Sequence, residues 1–481
     1  MQRDAPRLRE VSRFAGLERR VVTERDLVAH SVSVMAPSVS ALGLAFVLPD
    51  VVGPGAWLSV LLGFGLAHLL AGAFGQFARR MRAPGSLAAW TARGLGVGPA
   101  MVVASSLIFG YAVLTAFGIT AAARRISGGW EAVSGEQAGP GLEFGAVGAV
   151  IAACLVVIAR GVRWSTRFAL IAESLALVCL VVVLAVTAAR WGLPSWSDFA
   201  LAGASPMRIA LGAALIMTIT VGFESAVGLA VESARPFATV PRSMHCALAL
   251  TGLLFAVSVA LNSGPAGGHG AGRIRWLRPG EEHSPLDGLI LLGLALSLAV
   301  LALCAWTALS RLLFAFGREA IAWRRLGAVH PRAKVPHIAT LAVVPLVLAP
   351  VAITVATGHR LGWVTGHLLE TATLALCVAY AVTAAAVVPF LLRIDELRAR
   401  SVCGAVAAAL GVLGLTGVVV WHDAMAGRGW LLGIWAAVVG AGLAWWLVLR
   451  GRVSGLADRI GAHDETLRDD VLLPGQEGLH V

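Results

Sequence analysis

Apolar residues along this chain gather into twelve stretches, each long enough to cross the hydrocarbon core of a membrane. The pattern predicts an all-α integral membrane protein with twelve transmembrane helices. The predicted spans are 28–50, 54–78, 96–123, 142–159, 165–189, 208–232, 243–262, 285–316, 337–357, 363–392, 402–421 and 430–450. We expect one transporter-sized helical domain over 28–450, a basic N-terminal segment at 1–27 and a C-terminal tail at 451–481.

The sixth span is interrupted near its middle by Val221, Gly222, Phe223, Glu224 and Ser225. A carboxylate beside a helix-weakening glycine is costly at membrane depth and is tolerated mainly where unwound backbone lines a cavity. This stretch therefore predicts a binding site. The alternative is that Glu224 is a protonated helix residue bonded to a neighbouring helix, with Gly222 serving only close packing.

The first span is also interrupted, by Ala36, Pro37 and Ser38 and again by Gly43. Pro37 removes a helix hydrogen bond, and the hydroxyls of Ser38 and Ser40 can bond the freed carbonyls. Two broken helices in a polytopic membrane protein are typical of a binding site near the bilayer midplane.

Charge distribution predicts the orientation. The chain is 58% hydrophobic and 14% charged, with a formal net charge of +11. The seven segments on one predicted side carry 27 Lys and Arg residues, whereas the six on the other side carry 8. Because basic residues favour the cytoplasmic side, we expect a multi-pass protein of the cell membrane with both termini in the cytoplasm. The basic excess indicates topology and attraction to anionic lipid, and no nucleic-acid partner is expected.

Motifs of other chemistries are missing from the sequence. No GxGxxG follows a predicted strand, and neither a Walker motif nor GxSxG is present. The six cysteines show no CxxC or Cys/His ligand spacing, and no HxxxH pair lies on a span. We therefore expect no cofactor, no metal site and no enzymatic activity.

Three polar segments flank or connect the spans. Segment 1–27 alternates apolar residues with seven arginines, so it is either a short amphipathic helix on the membrane or a solvated tail. The glycine-rich loop 263–284 is expected to be external and flexible, and is a candidate lid. The tail 451–481 is expected to be partly disordered.

Four stretches of the sequence carry a shared signature. They are Gly222–Glu224 with Glu232, Pro236 and Pro241-Arg242; Gln76–Arg80 with Ala83–Ser86 and Arg93–Gly96; Arg160–Val162 with Ser165–Glu173; and Ser310–Phe314 with Arg318-Glu319, His330–Arg332 and Val335–His337. Together they resemble the amino acid–polyamine–organocation permeases, and the resemblance covers about residues 28–400.

This resemblance implies the five-plus-five inverted-repeat fold of the leucine transporter, followed by two accessory helices. It also implies a secondary active transporter. Two departures concern the ligand: Ala36–Ala41 lacks the family's Gly-x-Gly, and the adjacent acids expected at the end of span six are here Val231-Glu232. The resemblance therefore supports the permease class and does not specify the substrate.

A zwitterionic amino acid needs a partner for each of its charges in low dielectric. Backbone N–H groups at Ser38–Ala41 suit its carboxylate, and unwound carbonyls at Val221–Phe223 suit its ammonium. Tyr111, in the third span, either lines the pocket or packs with one hydrogen bond. The predicted substrate-binding residues are Ala36, Pro37, Ser38, Val39, Ser40, Ala41, Gly43, Tyr111, Val221, Gly222, Phe223, Glu224 and Ser225.

Coupling to a gradient needs a group whose charge changes with access. Glu224 and Glu173 are the candidates, because burial favours the neutral form of a carboxyl group and allows it to exchange a proton. Glu173, in the fifth span, is either a proton site or a buried hydrogen-bonded acid. Glu232 is expected to pair with an arginine. Glu370 and His68 are secondary candidates, since single polar residues in a bundle commonly hold helices together.

The sequence as a whole predicts a secondary active transporter that moves an amino acid or related organic amine by alternating access. Protons are preferred over sodium as the coupling ion. Two alternatives stay open: an amino acid or polyamine exchanger without proton coupling, and a membrane sensor built on a transporter fold. The chain offers no segment long enough for a sensor's folded output domain.

Overall fold

The computed structural model describes residues 12, 14–263, 285–357 and 361–461, and these residues are almost entirely helical. Twelve of the described segments are long and apolar enough to cross a membrane, which confirms the predicted number of spans. The helices are α1 (Glu24–Met35), α2 (Pro37–Val52), α3 (Ala56–Ala78), α4 (Ser86–Leu95), α5 (Val97–Ser134), α6 (Pro140–Ala159), α7 (Val162–Trp191), α8 (Pro206–Thr220), α9 (Pro236–Asn262), α10 (Pro285–Arg318), α11 (His337–Thr357), α12 (Leu361–Arg393), α13 (Ala399–Met425), α14 (Trp430–Arg452) and α15 (Leu456–Arg459).

Two of the spans are built from two pieces each. Span one consists of α1 and α2, and span six consists of α8 followed by a 3₁₀ helix at Ser225–Leu229. The remaining spans are continuous helices, and α4 lies in the connection after span two. The interruptions therefore fall in the first and the sixth spans, as the sequence predicts.

Span three, α5, lies at the centre of the bundle. It packs along α10 and α12 and also contacts α4, α6 and α14. Small residues allow these helices to approach closely: a Cβ on Gly118 of α5 would lie 2.9 Å from the Leu298 carbonyl oxygen of α10. Such contacts replace the hydrophobic driving force that helices lack inside lipid.

The outer surface of the bundle is strongly apolar. Ile171 of α7 is 69% exposed, Leu413 of α13 is 57% exposed and Leu447 of α14 is 58% exposed. Exposed apolar faces of this extent are costly in water and suit contact with lipid chains. The helices α13 and α14 bury few of their side chains and lie at the periphery.

The N-terminal segment differs from both predicted alternatives where it is described. Phe14 is buried and its ring centroid lies 6.2 Å from that of Phe314. The Val21 and Val22 N–H groups both donate to the Glu232 carbonyl, and Val22 forms a parallel β-bridge with Ser233. Residues 14–22 are thus a folded strap against the bundle. Residues 1–11, all of the predicted loop 263–284 after residue 263, and residues 462–481 of the predicted tail 451–481 lie outside the described residues.

Candidate functional site

Span one breaks at a single residue. Ala36 has φ 41° and ψ 63°, in the left-handed region, and separates α1 from α2. The predicted unwinding over Pro37–Gly43 is wrong, because α2 is helical from Pro37 through Gly43. Pro37 occupies the first position of α2, where its missing N–H costs nothing and its fixed φ suits the helix.

The two serines after the break differ in the hydrogen bonding of their hydroxyl groups: the Ser40 hydroxyl is bonded, and the Ser38 hydroxyl has no partner among the described residues. Ser40 donates through Oγ to the Met35 carbonyl at 3.0 Å, which satisfies a carbonyl freed by the break as the sequence predicts. Its N–H donates to the Ala36 carbonyl at 3.0 Å, so this amide is not free for a ligand. Ser38 and Val39 lie in the first turn of α2, whose N–H groups have no intrahelical partner. The Ala41 carbonyl accepts from Ser258 Oγ at 2.5 Å.

Span six breaks over four residues. The helix α8 ends at Thr220, Val221 is extended with ψ 139°, and Gly222 has φ 87°. The Gly222 carbonyl, a predicted ammonium ligand, accepts instead from the Ser225 N–H at 2.9 Å. Glycine is required at position 222 both by this left-handed φ and by the space around it.

The two breaks lie against each other. A Cβ built on Gly222 would lie 2.2 Å from Cγ1 of Val34, two residues before the break of span one. This separation is far inside van der Waals contact. The absence of a side chain at Gly222 is therefore what lets the broken segment of span six approach α1.

Glu224 follows immediately and is bound by two tyrosines. It is fully buried, and Tyr111 of α5 donates to its Oε1 at 2.6 Å. Tyr380 of α12 donates to its Oε2 and accepts from the Gly222 N–H at 2.7 Å. The chain has two tyrosines in total, and both serve this carboxyl group. Hydrogen bonds to an ionised carboxylate are about twice as strong as neutral ones, so this cluster ties span six to spans three and ten.

Phe223 completes the packing of the break. Its ring stacks on Phe74 of α3, with centroids 5.8 Å apart and planes 5° apart, and meets Tyr380 edge-on at 5.6 Å. The side chain is fully buried. Phe74 also meets Tyr380 edge-on at 5.6 Å, so Phe223 and Tyr380 pack together against α3.

Glu173 lies elsewhere in the bundle. It is buried on α7, and Ser297 Oγ of α10 donates to its two oxygens at 3.2 and 3.4 Å. The structure thus gives Glu173 a hydrogen-bond partner in span eight and places Glu224 among Tyr111 and Tyr380. The two predicted coupling acids have separate sets of partners.

A buried ion pair lies at the end of span six. Arg311 of α10 donates through Nε and Nη2 to the two oxygens of Glu232, at 3.0 and 2.9 Å, and the predicted pairing of Glu232 with an arginine is confirmed. The exposed fractions of the two side chains are 1% and 0%. Arg311 Nη1 has no hydrogen-bond partner among the described residues. The strap at 14–22 covers the Glu232 backbone.

A family profile described as amino acid permease matches residues 27–422 of this chain. The match covers most of the sequence and includes both helix breaks. The chain belongs to the amino acid permease family. The permease is accordingly a membrane transporter for a small molecule and not an enzyme. No curated protein sequence matches the chain.

Solved structures of a manganese transporter from Eremococcus coleocola are similar in fold to this permease. Two mutant structures align with TM-score 0.51 and 15% identity, covering 89% of this chain and 94% of theirs. A third structure, in complex with an aromatic bis-isothiourea substituted compound, aligns with TM-score 0.50 and 16% identity over 88% and 94%. At this identity the likeness shows the transporter fold alone, and it agrees with the predicted leucine-transporter-like architecture.

Tyr380 is the site residue of the permease that sequence reasoning missed. A signal was available, since Tyr380 is the second of two tyrosines and lies within the tenth predicted span. The secondary candidates have other partners: His68 Nδ1 lies 3.1 Å from His245 Nδ1, and Glu370 pairs with Arg428 at 3.2 Å. Within the described ranges, no three His, Cys, Asp or Glu side chains could jointly hold a metal ion.

Proposed function

We propose that this permease carries an amino acid or related organic amine across the cell membrane, coupled to protons, by alternating access around the breaks of spans one and six. One observation carries the proposal. Glu224 is a fully buried carboxyl group at the break of span six, held through both oxygens by Tyr111 and Tyr380. An ionisable side chain at this depth is costly, and in membrane spans such residues mark substrate and proton pathways.

Unpaired polar groups on both sides of the contact between the breaks support a substrate site there. The hydroxyls of Ser38 and Ser225 are buried without hydrogen-bond partners among the described residues. Each such group costs free energy until a ligand or water pairs with it. The substrate carboxylate would bind the Ser38 and Val39 N–H groups at the positive end of the α2 dipole. Its ammonium would lie toward the buried backbone of Val221–Ser225.

Proton coupling follows from the donors around Glu224. As a carboxylate, Glu224 accepts from both tyrosines at once. A proton added to either oxygen turns that acceptor into a donor, so the tyrosine hydroxyl on that oxygen must accept instead of donate, and its own proton must turn to another acceptor. Tyr380 has less freedom to do so because it also accepts from the Gly222 N–H. Protonation would therefore replace the charge-assisted hydrogen bonds of Glu224 with weaker neutral ones, which would loosen span six from span three and let the bundle move.

Glu173 is the second candidate for the proton site. Its carboxyl group is buried and its partner Ser297 can serve as donor or acceptor, so it can hold a proton without losing its bond. Glu173 would then load from one side of the membrane while α7 and α10 stay together. The two acids make different predictions for substitution, which are given in the Discussion.

We propose that both termini lie in the cytoplasm, with 28–450 as the transporter domain between the segments 1–27 and 451–481. The 27 to 8 distribution of basic residues supports this orientation. In this orientation the Arg311–Glu232 pair and the strap at 14–22 would close the cytoplasmic side. Labelling of single cysteines introduced at Glu136 and at Glu396, in a chain whose six native cysteines are replaced by alanine, tests it with a membrane-impermeant maleimide on intact cells: labelling at Glu136 alone is expected.

Uptake into proteoliposomes tests substrate and coupling together. Radiolabelled amino acids, a polyamine and Mn²⁺ would each be offered with and without an imposed inside-alkaline pH gradient. We expect accumulation of one organic amine class, with the gradient raising its level at least about tenfold. Uptake of Mn²⁺ alone would overturn the substrate class, and gradient-insensitive exchange of the amine would overturn the coupling.

A further inference from the structure

A cavity of about 260 Å³ lies between α8, α12 and α13, and none of its lining residues belongs to the two helix breaks. Aliphatic side chains such as Leu211, Leu374 and Val412 form its walls. At its inner end it reaches Cys377, about one helical turn before Tyr380. Apolar space of this size accommodates one aromatic ring or a short alkyl chain.

Three charged side chains line the polar end of this cavity. Arg428 donates through Nη2 to Asp423 Oδ1 at 2.6 Å and through Nη1 to Glu370 Oε1 at 3.2 Å. All three residues line the cavity. Because two carboxylates share one guanidinium, one negative charge within this group is uncompensated.

Asp423 supplies a specific ligand position. The residue is 2% exposed, and its Oδ2 has no hydrogen-bond partner among the described residues. A buried carboxylate oxygen without a donor costs free energy that a bound donor would recover. A cationic donor suits the position best, because it pairs with the open oxygen and balances the excess negative charge.

A second cavity provides access from the surface. It has a volume of about 350 Å³ and shares Val51, Leu211 and His422 with the first. Asp50 and Trp421, which also line it, are exposed. The two cavities therefore adjoin at the ends of α2 and α13, away from the helix breaks.

We propose that this cavity binds a hydrophobic amine, with its ammonium group at Asp423 and its apolar ring or chain between α8, α12 and α13. An occupant contacts both α8, which leads into the break of span six, and α12, which carries Tyr380. The inference does not rest on the proposed cargo, because the site lies outside the breaks.

Equilibrium binding of tritiated 2-phenylethylamine to the purified full chain in detergent tests the proposal. The uncharged competitor 2-phenylethanol has nearly the same shape. We expect saturable binding of the amine, with the alcohol weaker by about tenfold or more because it lacks the charged donor. Asp423→Asn should weaken amine binding by a similar factor. Glu396→Gln is the matched control. It alters an exposed acid that pairs with Arg80 and does not line the cavity, and it should leave binding within about twofold.

Three results would overturn the proposal. They are no saturable binding to the wild-type chain, equal affinity for amine and alcohol, or a loss of binding in Glu224→Gln while Asp423→Asn binds the amine as the wild type does. The last result would place the amine at the helix breaks. If Asp423→Asn does not fold, as judged by size exclusion and thermal melting, Val412→Phe fills the cavity while keeping every charge. That variant should lower amine affinity by about tenfold or more, and unchanged affinity in it contradicts the site.

Discussion

The hydroxyl of Tyr111 donates to Oε1 of Glu224 at 2.6 Å, and so joins the middle of span three to the break of span six. The two residues are 113 positions apart in the chain. Tyr380 makes the equivalent bond to the other oxygen from span ten. One carboxyl group thus links span six to spans three and ten, and a change in its protonation acts on all three spans at once.

Removing either tyrosine hydroxyl should weaken the cluster unequally. Tyr111→Phe removes one donor to a buried carboxylate, which costs about 1.5–3 kcal/mol. Tyr380→Phe removes a donor and also the acceptor of the Gly222 N–H, so it should lower the melting temperature in detergent further. Both rings keep their packing in the phenylalanine variants. Equal melting temperatures for the two variants would argue against a distinct role for the Gly222 bond.

Gly222→Ala should be among the most damaging single substitutions. The new Cβ would lie 2.2 Å from Val34 Cγ1, and the φ of 87° is strained for any residue with a Cβ. We expect loss of folded protein or a destabilisation of about 3 kcal/mol or more. The matched control is Gly43→Ala, since that glycine lies inside α2 with nothing within 4 Å of its missing Cβ.

Gly43→Ala should be neutral or stabilise the protein by up to about 1 kcal/mol, because alanine favours the helix. Thermal melting of both variants in detergent makes the comparison. The double variant Gly222→Ala with Val34→Ala should recover part of the loss, since the 2.2 Å contact with Val34 Cγ1 goes while the 3.3 Å contact with Cβ and the strained φ stay. No recovery in the double variant would show that the backbone conformation alone requires glycine.

Breaking the buried ion pair should cost far more than breaking an exposed one. Glu232→Gln leaves the Arg311 charge buried and unpaired, at a cost of about 3–5 kcal/mol. Glu396→Gln removes the exposed pair with Arg80 and should cost about 0–1 kcal/mol. The melting temperatures of the two variants, measured in the same detergent, provide the check. A similar small loss in both would mean that water or another acid reaches Arg311.

The sequence predicted the architecture well because span length and helix interruption leave direct marks in it. Hydrocarbon thickness sets the length of an apolar run, so the twelve spans follow from hydropathy. Proline, glycine and a midspan acid mark the broken helices. The exact position of the first break was harder: Pro37 fits the start of a helix as well as it disrupts one, and the chain turns at Ala36, an ordinary helix former.

The partners of the site residues could not be predicted from the sequence alone. Tyr380 meets Glu224 across 156 positions, and Arg311 meets Glu232 across 79, because helix packing brings them together. No local pattern encodes such contacts. Glu173 and Glu224 look alike in sequence as single acids in apolar spans, and only the packing shows that one faces a serine and the other two tyrosines.

Glu173→Gln should be the milder of the two substitutions of candidate coupling acids. The glutamine amide can keep a hydrogen bond with Ser297, so stability should fall by about 1 kcal/mol or less. Gradient-driven uptake should stay within about twofold of wild type if Glu224 carries the coupling proton. Abolished uptake in Glu173→Gln with normal uptake in Glu224→Gln would exchange the two roles. Ser297→Ala is the control for loss of the hydrogen bond without loss of the acid.

The most direct test of proton coupling through Glu224 compares two modes of uptake in Glu224→Gln proteoliposomes. The glutamine mimics the permanently protonated acid and keeps its size, so substrate binding and exchange of internal for external substrate should continue near wild-type levels. Accumulation driven by an inside-alkaline pH gradient should be abolished. Full gradient-driven accumulation in Glu224→Gln, at wild-type rate and level, would contradict the account.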